Sequence, residues 1–137
     1  DEEDAADAGS ASSLIRCYRF VLNPIKYIAM TVKEVFELRK EGKIEEAYHA
    51  ILPMYRVHHG KYTTLAMFWC AVDMMKLLLS RATGDDSESI EALHEAERIY
   101  SSLQRLYPQV YDDSGSCQHT LDNMGEVLKA TRLRVKG

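Results

Sequence analysis

The 137-residue sequence has few cysteines, few prolines and only a small net charge. Its three cysteines, Cys17, Cys70 and Cys117, are widely spaced and form no C-x-x-C pair. We therefore expect neither a disulfide framework nor a zinc knuckle, and a reducing, cytoplasmic setting is predicted. The formal net charge of −4 argues against a strongly basic nucleic-acid-binding protein.

The sequence also lacks a glycine-rich phosphate loop and a long uncharged apolar run. Its glycines are isolated from one another, which excludes a P-loop motif. The most apolar stretch, Tyr62–Leu79, is shorter than the roughly 20 residues of a membrane-spanning helix. It also contains Asp73 and Lys76. No membrane segment is predicted.

Acidic residues are concentrated at the beginning of the sequence. Among the first seven residues, five are acidic: Asp1, Glu2, Glu3, Asp4 and Asp7. Residues 1–13 contain no large apolar side chain, so we expect an acidic, disordered leader there. Its charge is opposite to that of the basic start of a secretory signal. Such a leader is either solubilising or an autoinhibitory or partner-docking arm.

Apolar residues in the rest of the chain recur at helical spacing, so residues 14–137 are predicted to form a single all-α domain. The expected five or six helices run over about Leu14–Leu22, Ile25–Lys40, Lys43–His59, Tyr62–Leu79, Ile90–Tyr107 and Gln118–Arg134. The first of these segments would also fit a strand. Gly42 is expected to end the second helix, and Pro53 to kink or end the third.

Two segments follow the spacing of the second helix of a tetratricopeptide repeat. One consists of a small residue, an aromatic residue, a medium-sized residue and a closing proline, at Ala96, Tyr100, Leu103 and Pro108. The other consists of Gly42, Ala47, Ile51 and Met54, with His59 in place of the closing proline. The two anchoring alanines are 49 residues apart instead of about 34, and the additional residues fit the long helix around Trp69.

Over about Ile25–Pro108 the chain resembles bacterial tetratricopeptide-like proteins of no assigned activity. The resemblance implies antiparallel helix hairpins in a right-handed stack. It also implies a non-catalytic interaction or scaffold module that needs no cofactor, because such repeats mostly bind other proteins. A stack of two repeats leaves an apolar end to cover, so a homodimer is possible.

The expected binding surface lies on the most apolar helix. On a helical wheel Trp69, Asp73 and Lys76 share one narrow sector. With Tyr62 they would form an aromatic groove for a peptide or partner helix, in which Asp73 and Lys76 act as polar selectors. The same aromatic residues would otherwise serve as packing between helices.

One alternative function is a di-iron helical-bundle enzyme. Glu46-x-x-His49 and Glu91-x-x-His94 have the ligand spacing of that class. The carboxylates on the intervening helices are Glu34 or Glu37 and Asp73. On a wheel, however, both motifs lie away from the apolar face, which favours solvated charges over metal ligands.

A second alternative is a nucleic-acid-associated accessory protein. Its candidate contacts are Arg16, Arg19 and the basic C-terminal turn with Arg132 and Arg134. Positive charge at the end of the last helix is equally explained by the helix dipole, so nucleic acid is an unlikely partner.

Overall fold

The computed structural model describes residues 30–136, and this part of the chain contains five α-helices and no strand. The helices are α1 (Val32–Lys40), α2 (Ile44–Val57), α3 (Lys61–Arg81), α4 (Ser87–Leu106) and α5 (Ser116–Lys136). A short 3₁₀ turn, Tyr107–Gln109, follows α4. The all-α prediction is confirmed for these residues. The acidic leader and the predicted helix Leu14–Leu22 lie outside them.

The first described helix begins later than the apolar spacing suggested. Residues Met30 and Thr31 are not helical, and α1 starts at Val32. The backbone amide of Glu34 donates to Thr31 Oγ1 at 3.2 Å, and the Thr31 amide donates to Glu34 Oε1 at 2.8 Å. This reciprocal capping box satisfies two end groups and so sets the start of the helix.

Gly42 ends α1 as predicted. Its φ of 79° lies in the left-handed region, which a glycine adopts without steric cost. The Gly42 amide donates to Arg39 O at 3.0 Å and the Lys43 amide to Leu38 O at 3.0 Å, the two hydrogen bonds of a Schellman motif. The chain can therefore turn into α2 within three residues.

Of the two outcomes expected at Pro53, an end of the helix is wrong, and a kink stays a prediction. The helix α2 is continuous from Ile44 to Val57, with Pro53 inside it. One backbone hydrogen bond is lost at a proline. Burial of Ala47, Ala50 and Ile51 against the rest of the domain holds the helix together around that loss.

The helix α3 forms the centre of the domain. It packs against each of the other four helices, and side chains such as Phe68, Val72 and Met75 have no exposed surface. Within the described residues, α3 is long and apolar enough to cross a membrane. However, 67% of its most apolar 18-residue window is buried inside the domain, as in the core helix of a soluble protein.

The last helix covers one side of α3 and α4. Its buried residues alternate at spacings of four and three, namely Cys117, Leu121, Met124, Leu128, Thr131 and Val135. This spacing forms the apolar stripe of an amphipathic helix. Gly125 lies beside the Tyr100 side chain of α4, and Arg132 Nε lies 2.6 Å from Glu97 Oε2. These contacts fix α5 against α4.

Candidate functional site

The four predicted partner-site residues lie along one face of α3. Tyr62, Trp69, Asp73 and Lys76 follow one another at intervals of seven, four and three positions, and Ser80 continues the row. Tyr62 is 64% exposed, Lys76 and Ser80 are exposed, and Trp69 and Asp73 are half-buried. We call these five side chains the α3 stripe.

Helix α1 borders the α3 stripe through Arg39. The guanidinium donates to both carboxylate oxygens of Asp73, from Nε to Oδ2 and from Nη2 to Oδ1, the latter at 3.2 Å. It also lies 5.6 Å from the centre of the Trp69 ring, within the range of a cation–π contact. Arg39 therefore ties together two of the predicted site residues, a role that sequence reasoning missed.

This ion pair changes the role expected of Asp73. The hydrogen bond to Asp73 is the largest influence on Arg39 and raises the pKa of the guanidinium above its usual value. The two side chains are only 29% and 18% exposed, so the pair is partly shielded from solvent. Asp73 is thus already neutralised inside the chain. Among the described residues Lys76 has no carboxylate partner, so the uncompensated charge on the stripe is positive.

Helix α5 borders the other side of the α3 stripe. Between α3 and α5 lies a groove of about 400 Å³, which we call the α3–α5 groove. On the α3 side it is lined by Lys76, Leu79 and Ser80. On the α5 side it is lined by Asn123, Met124, Val127, Ala130, Thr131 and Arg134. Its walls are apolar and its two charged groups are both cations.

The opposite end of the α3 stripe is aromatic. Lys61 Nζ lies 4.2 Å from the Tyr111 ring centre and 5.5 Å from that of Tyr62. Tyr111 is 58% exposed. Tyr111 follows α4 and is 49 positions from Tyr62, so no local sequence signal could have paired the two rings.

The two Glu-x-x-His motifs are not assembled into a metal centre. Glu46, Glu91 and His94 are exposed, and His49 Nδ1 lies 2.9 Å from the Glu45 carbonyl oxygen. Over residues 30–136 no three His, Cys, Asp or Glu side chains come together in an arrangement that could hold a metal ion.

The two cysteines in the described range, Cys70 and Cys117, are buried free thiols. Burial raises the pKa of Cys70 to about 12 and is also the largest influence on Cys117, raising its pKa to about 11. Both thiols are therefore protonated near neutral pH, and a protonated thiol is a poor nucleophile. They act as apolar packing groups.

Of the four arginines proposed for nucleic-acid contact, Arg132 and Arg134 make bonds inside the chain, and Arg16 and Arg19 lie outside the described residues. Arg132 pairs with Glu97, and Arg134 Nη2 donates to the Ala82 carbonyl oxygen at 3.3 Å. Only Arg134 also lines the α3–α5 groove.

No protein-family model matches the chain, and neither a curated protein nor a solved structure is significantly similar to it. The chemistry of its candidate site follows from its own geometry.

Proposed function

We propose that this chain is a non-catalytic, tetratricopeptide-like interaction module that binds a peptide or partner helix along the α3 stripe and the α3–α5 groove. The observation that carries the proposal is a row of side chains with exposed surface on one face of the central helix, with Tyr62 and Trp69 toward one end and Lys76 toward the other. From Tyr62 to Ser80 this row is about 27 Å long, from the helical rise per residue. That length accommodates about eight residues of extended chain.

The packing order of the helices supports a stack of hairpins. Consecutive helices pack together, and α3 additionally contacts α1 and α5. In a stack of the hairpins α1–α2 and α3–α4 followed by the single helix α5, the first helix of each unit contacts the first helix of the next: α1 contacts α3, and α3 contacts α5. The two anchoring alanines of the resemblance, Ala47 and Ala96, have no exposed surface. Both observations agree with repeats in which small residues allow close helix approach.

The exposed chemistry of the row indicates what a partner would offer. An apolar or aromatic side chain would pack on Tyr62 and Trp69, since aromatic rings supply much of the energy at interfaces. A carboxylate would approach Lys76 and Arg134, because the nearby carboxylate of Asp73 is already paired with Arg39. Lys76, predicted as a selector, keeps that role in the proposal, whereas Asp73 acts by holding Arg39.

A peptide-display selection tests the proposal. A random dodecapeptide library is selected on the full chain, and the enriched peptides are then measured on Tyr62→Ala, Lys76→Glu and Lys129→Glu variants. Lys129 is exposed on α5, and its one ion pair within residues 30–136 is with Glu126, at 3.8 Å, so it provides a matched charge reversal outside the row.

We expect affinity to fall at least about tenfold on the first two variants, which is about 1.4 kcal/mol of binding free energy, and to change less than about twofold on the control. Peptides that bind all three variants equally would contradict the proposed surface, and so would a failure to enrich any peptide. Circular dichroism of each variant confirms that the helices are intact.

Solution mass and metal content test the competing functions. Light scattering over a dilution series would show whether the chain is a monomer. A dimer that persists on dilution and shields Trp69 from a soluble fluorescence quencher would assign the α3 stripe to self-association. Stoichiometric iron in the same sample would overturn the non-catalytic proposal in favour of the metal-bundle alternative.

A further inference from the structure

The two grooves that border the C-terminal half of α3 differ in charge: one is lined by cations alone and the other by charges of both signs. The α3–α5 groove carries Lys76 and Arg134, and no Asp or Glu lines it. A second groove of about 670 Å³, between α3 and α4, contains three carboxylates, Glu88, Glu91 and Glu95, together with the guanidinium groups of Arg81 and Arg98. A purely cationic groove is unexpected in a chain of net charge −4.

The cations of the α3–α5 groove are available to an anion. Asp73, the only carboxylate on the α3 stripe, is held by Arg39. Lys76 forms no ion pair within residues 30–136, and the one hydrogen bond seen for Arg134 is to the neutral carbonyl of Ala82. A carboxylate in the groove would gain charge-assisted hydrogen bonds without displacing another anion.

The chain carries its own concentrated source of carboxylates in Asp1–Asp7, where five of seven residues are acidic. The 23 residues from position 8 to position 30 can span at most roughly 80 Å. The helix α3, with 21 residues, is about 31 Å long. The acidic segment can therefore reach any point of the stripe. A tethered segment also has an effective concentration on the order of millimolar, so a weak site suffices to hold it.

We infer that the acidic segment Asp1–Asp7 docks in the α3–α5 groove of its own chain, with its carboxylates on Lys76 and Arg134, and thereby competes with outside ligands for the groove. The inference goes beyond the proposed function, since it concerns an occupant that the chain itself supplies. The docking of the acidic segment within the chain does not depend on whether the groove also binds an outside partner.

Amide chemical shifts of the 137-residue chain test the inference without a partner. The natural chain is compared with a five-fold variant in which Asp1, Glu2, Glu3, Asp4 and Asp7 become the corresponding amides. At low salt we expect shift differences concentrated at the α3–α5 groove, near residues 76–80 and 127–134, and absent from the second groove near Glu91.

A charge-neutral groove variant, Lys76→Gln with Arg134→Gln, should abolish these differences, whereas Lys129→Gln should leave them in place. The differences should also fade between roughly 20 and 500 mM salt, because the Debye length falls several-fold over that range. The substitutions in the leader change no residue of the described helices, so the fold is retained as the comparison requires.

Three results would overturn the inference. One is the absence of any difference at the groove, and another is a pattern centred on different basic residues such as Arg56 or Arg105. The third is a set of groove shifts that weakens on dilution of the protein, which would mean that the acidic segment binds a second copy. Shifts that are independent of concentration and lost in the groove variant would support docking within the chain.

Discussion

The contact between Gly125 and Tyr100 leads to a quantitative prediction about how α5 is held. Gly125 lies in the middle of α5, where alanine would normally stabilise a helix by about 1 kcal/mol. A Cβ at this position would lie 2.5 Å from the Tyr100 hydroxyl oxygen and 3.2 Å from the ring carbon that bears it. The hydroxyl would have to retreat by about 0.5 Å even to reach 3.0 Å.

We expect Gly125→Ala to destabilise the domain. Tyr100 is half-buried between α4 and α5, so its ring cannot swing freely. Forcing an extra methyl group into a packed site usually costs about 1–3 kcal/mol. After subtracting the gain in helix propensity, the net loss is about 0–2 kcal/mol. Replacing Tyr100 by phenylalanine removes the closest atom, so Gly125→Ala should then be neutral or stabilising by up to about 1 kcal/mol.

Urea unfolding followed by far-UV circular dichroism would measure these free energies. The matched control compares Lys129→Ala with Lys129→Gly, on the exposed side of the same helix and outside the α3–α5 groove, and reports the propensity difference alone. The favourable coupling between Gly125→Ala and Tyr100→Phe should be about 1–2 kcal/mol. The close approach of α4 and α5 is wrong if Gly125→Ala stabilises the chain by the full free-energy difference between Lys129→Ala and Lys129→Gly, both with Tyr100 in place and with Tyr100→Phe.

Three further predictions concern α1 and the buried thiols. A double-mutant cycle of Arg39→Met with Asp73→Asn should give a coupling free energy of about 1–2 kcal/mol in urea unfolding, because the pair is intermediate between an exposed and a buried ion pair. A coupling of zero would mean that this pair does not hold α1 to α3. Thr31→Ala should lower the local stability of α1 by about 1 kcal/mol, seen as faster amide exchange there, and unchanged exchange would refute the capping box. With Cys17→Ser, a thiol reagent at pH 8 should leave Cys70 unmodified until urea is added. Burial raises the pKa of Cys70 to about 12, so the protonated thiol contributes fully to the free energy of unfolding below about pH 9, and this contribution is lost as pH rises through 12. A free energy of unfolding that stays constant over this pH range would contradict the prediction.

Features set by local sequence were predictable. The central helix α3 followed from a stretch that is apolar nearly all round, because such a helix must be enclosed by others. The end of α1 followed from Gly42, since only the left-handed backbone of that residue closes the turn. The shared face of Tyr62, Trp69, Asp73 and Lys76 followed from helical periodicity alone. Whether a partner uses this face stays a prediction.

Features set by packing between helices were not predictable. A wheel placed Asp73 toward solvent, but it could not show that Arg39 of another helix reaches it. The α3–α5 groove depends on the relative position of two helices that are separated in the sequence by α4. The presence of Lys76 and Arg134 in the same groove therefore has no signature along the chain. An end of the helix at Pro53, one of the two expected outcomes, did not occur for a related reason, because the tertiary packing of α2 outweighs the backbone bond lost at one residue.

The central position of α3 has a consequence for how the chain folds. Most helix pairs in the described part of the domain are neighbours in sequence, so few contacts require a long loop to close, and folding should be fast. Each of the other four helices packs against α3, so we expect α3 to form early. We expect substitutions at Phe68 to slow folding, and those at Leu128 of the last helix mainly to speed unfolding. If α5 belonged to the folding nucleus, stopped-flow kinetics would show the opposite pattern: substitutions at Leu128 would slow folding and those at Phe68 would mainly speed unfolding. The other helices would then pack only after the C-terminal helix had formed.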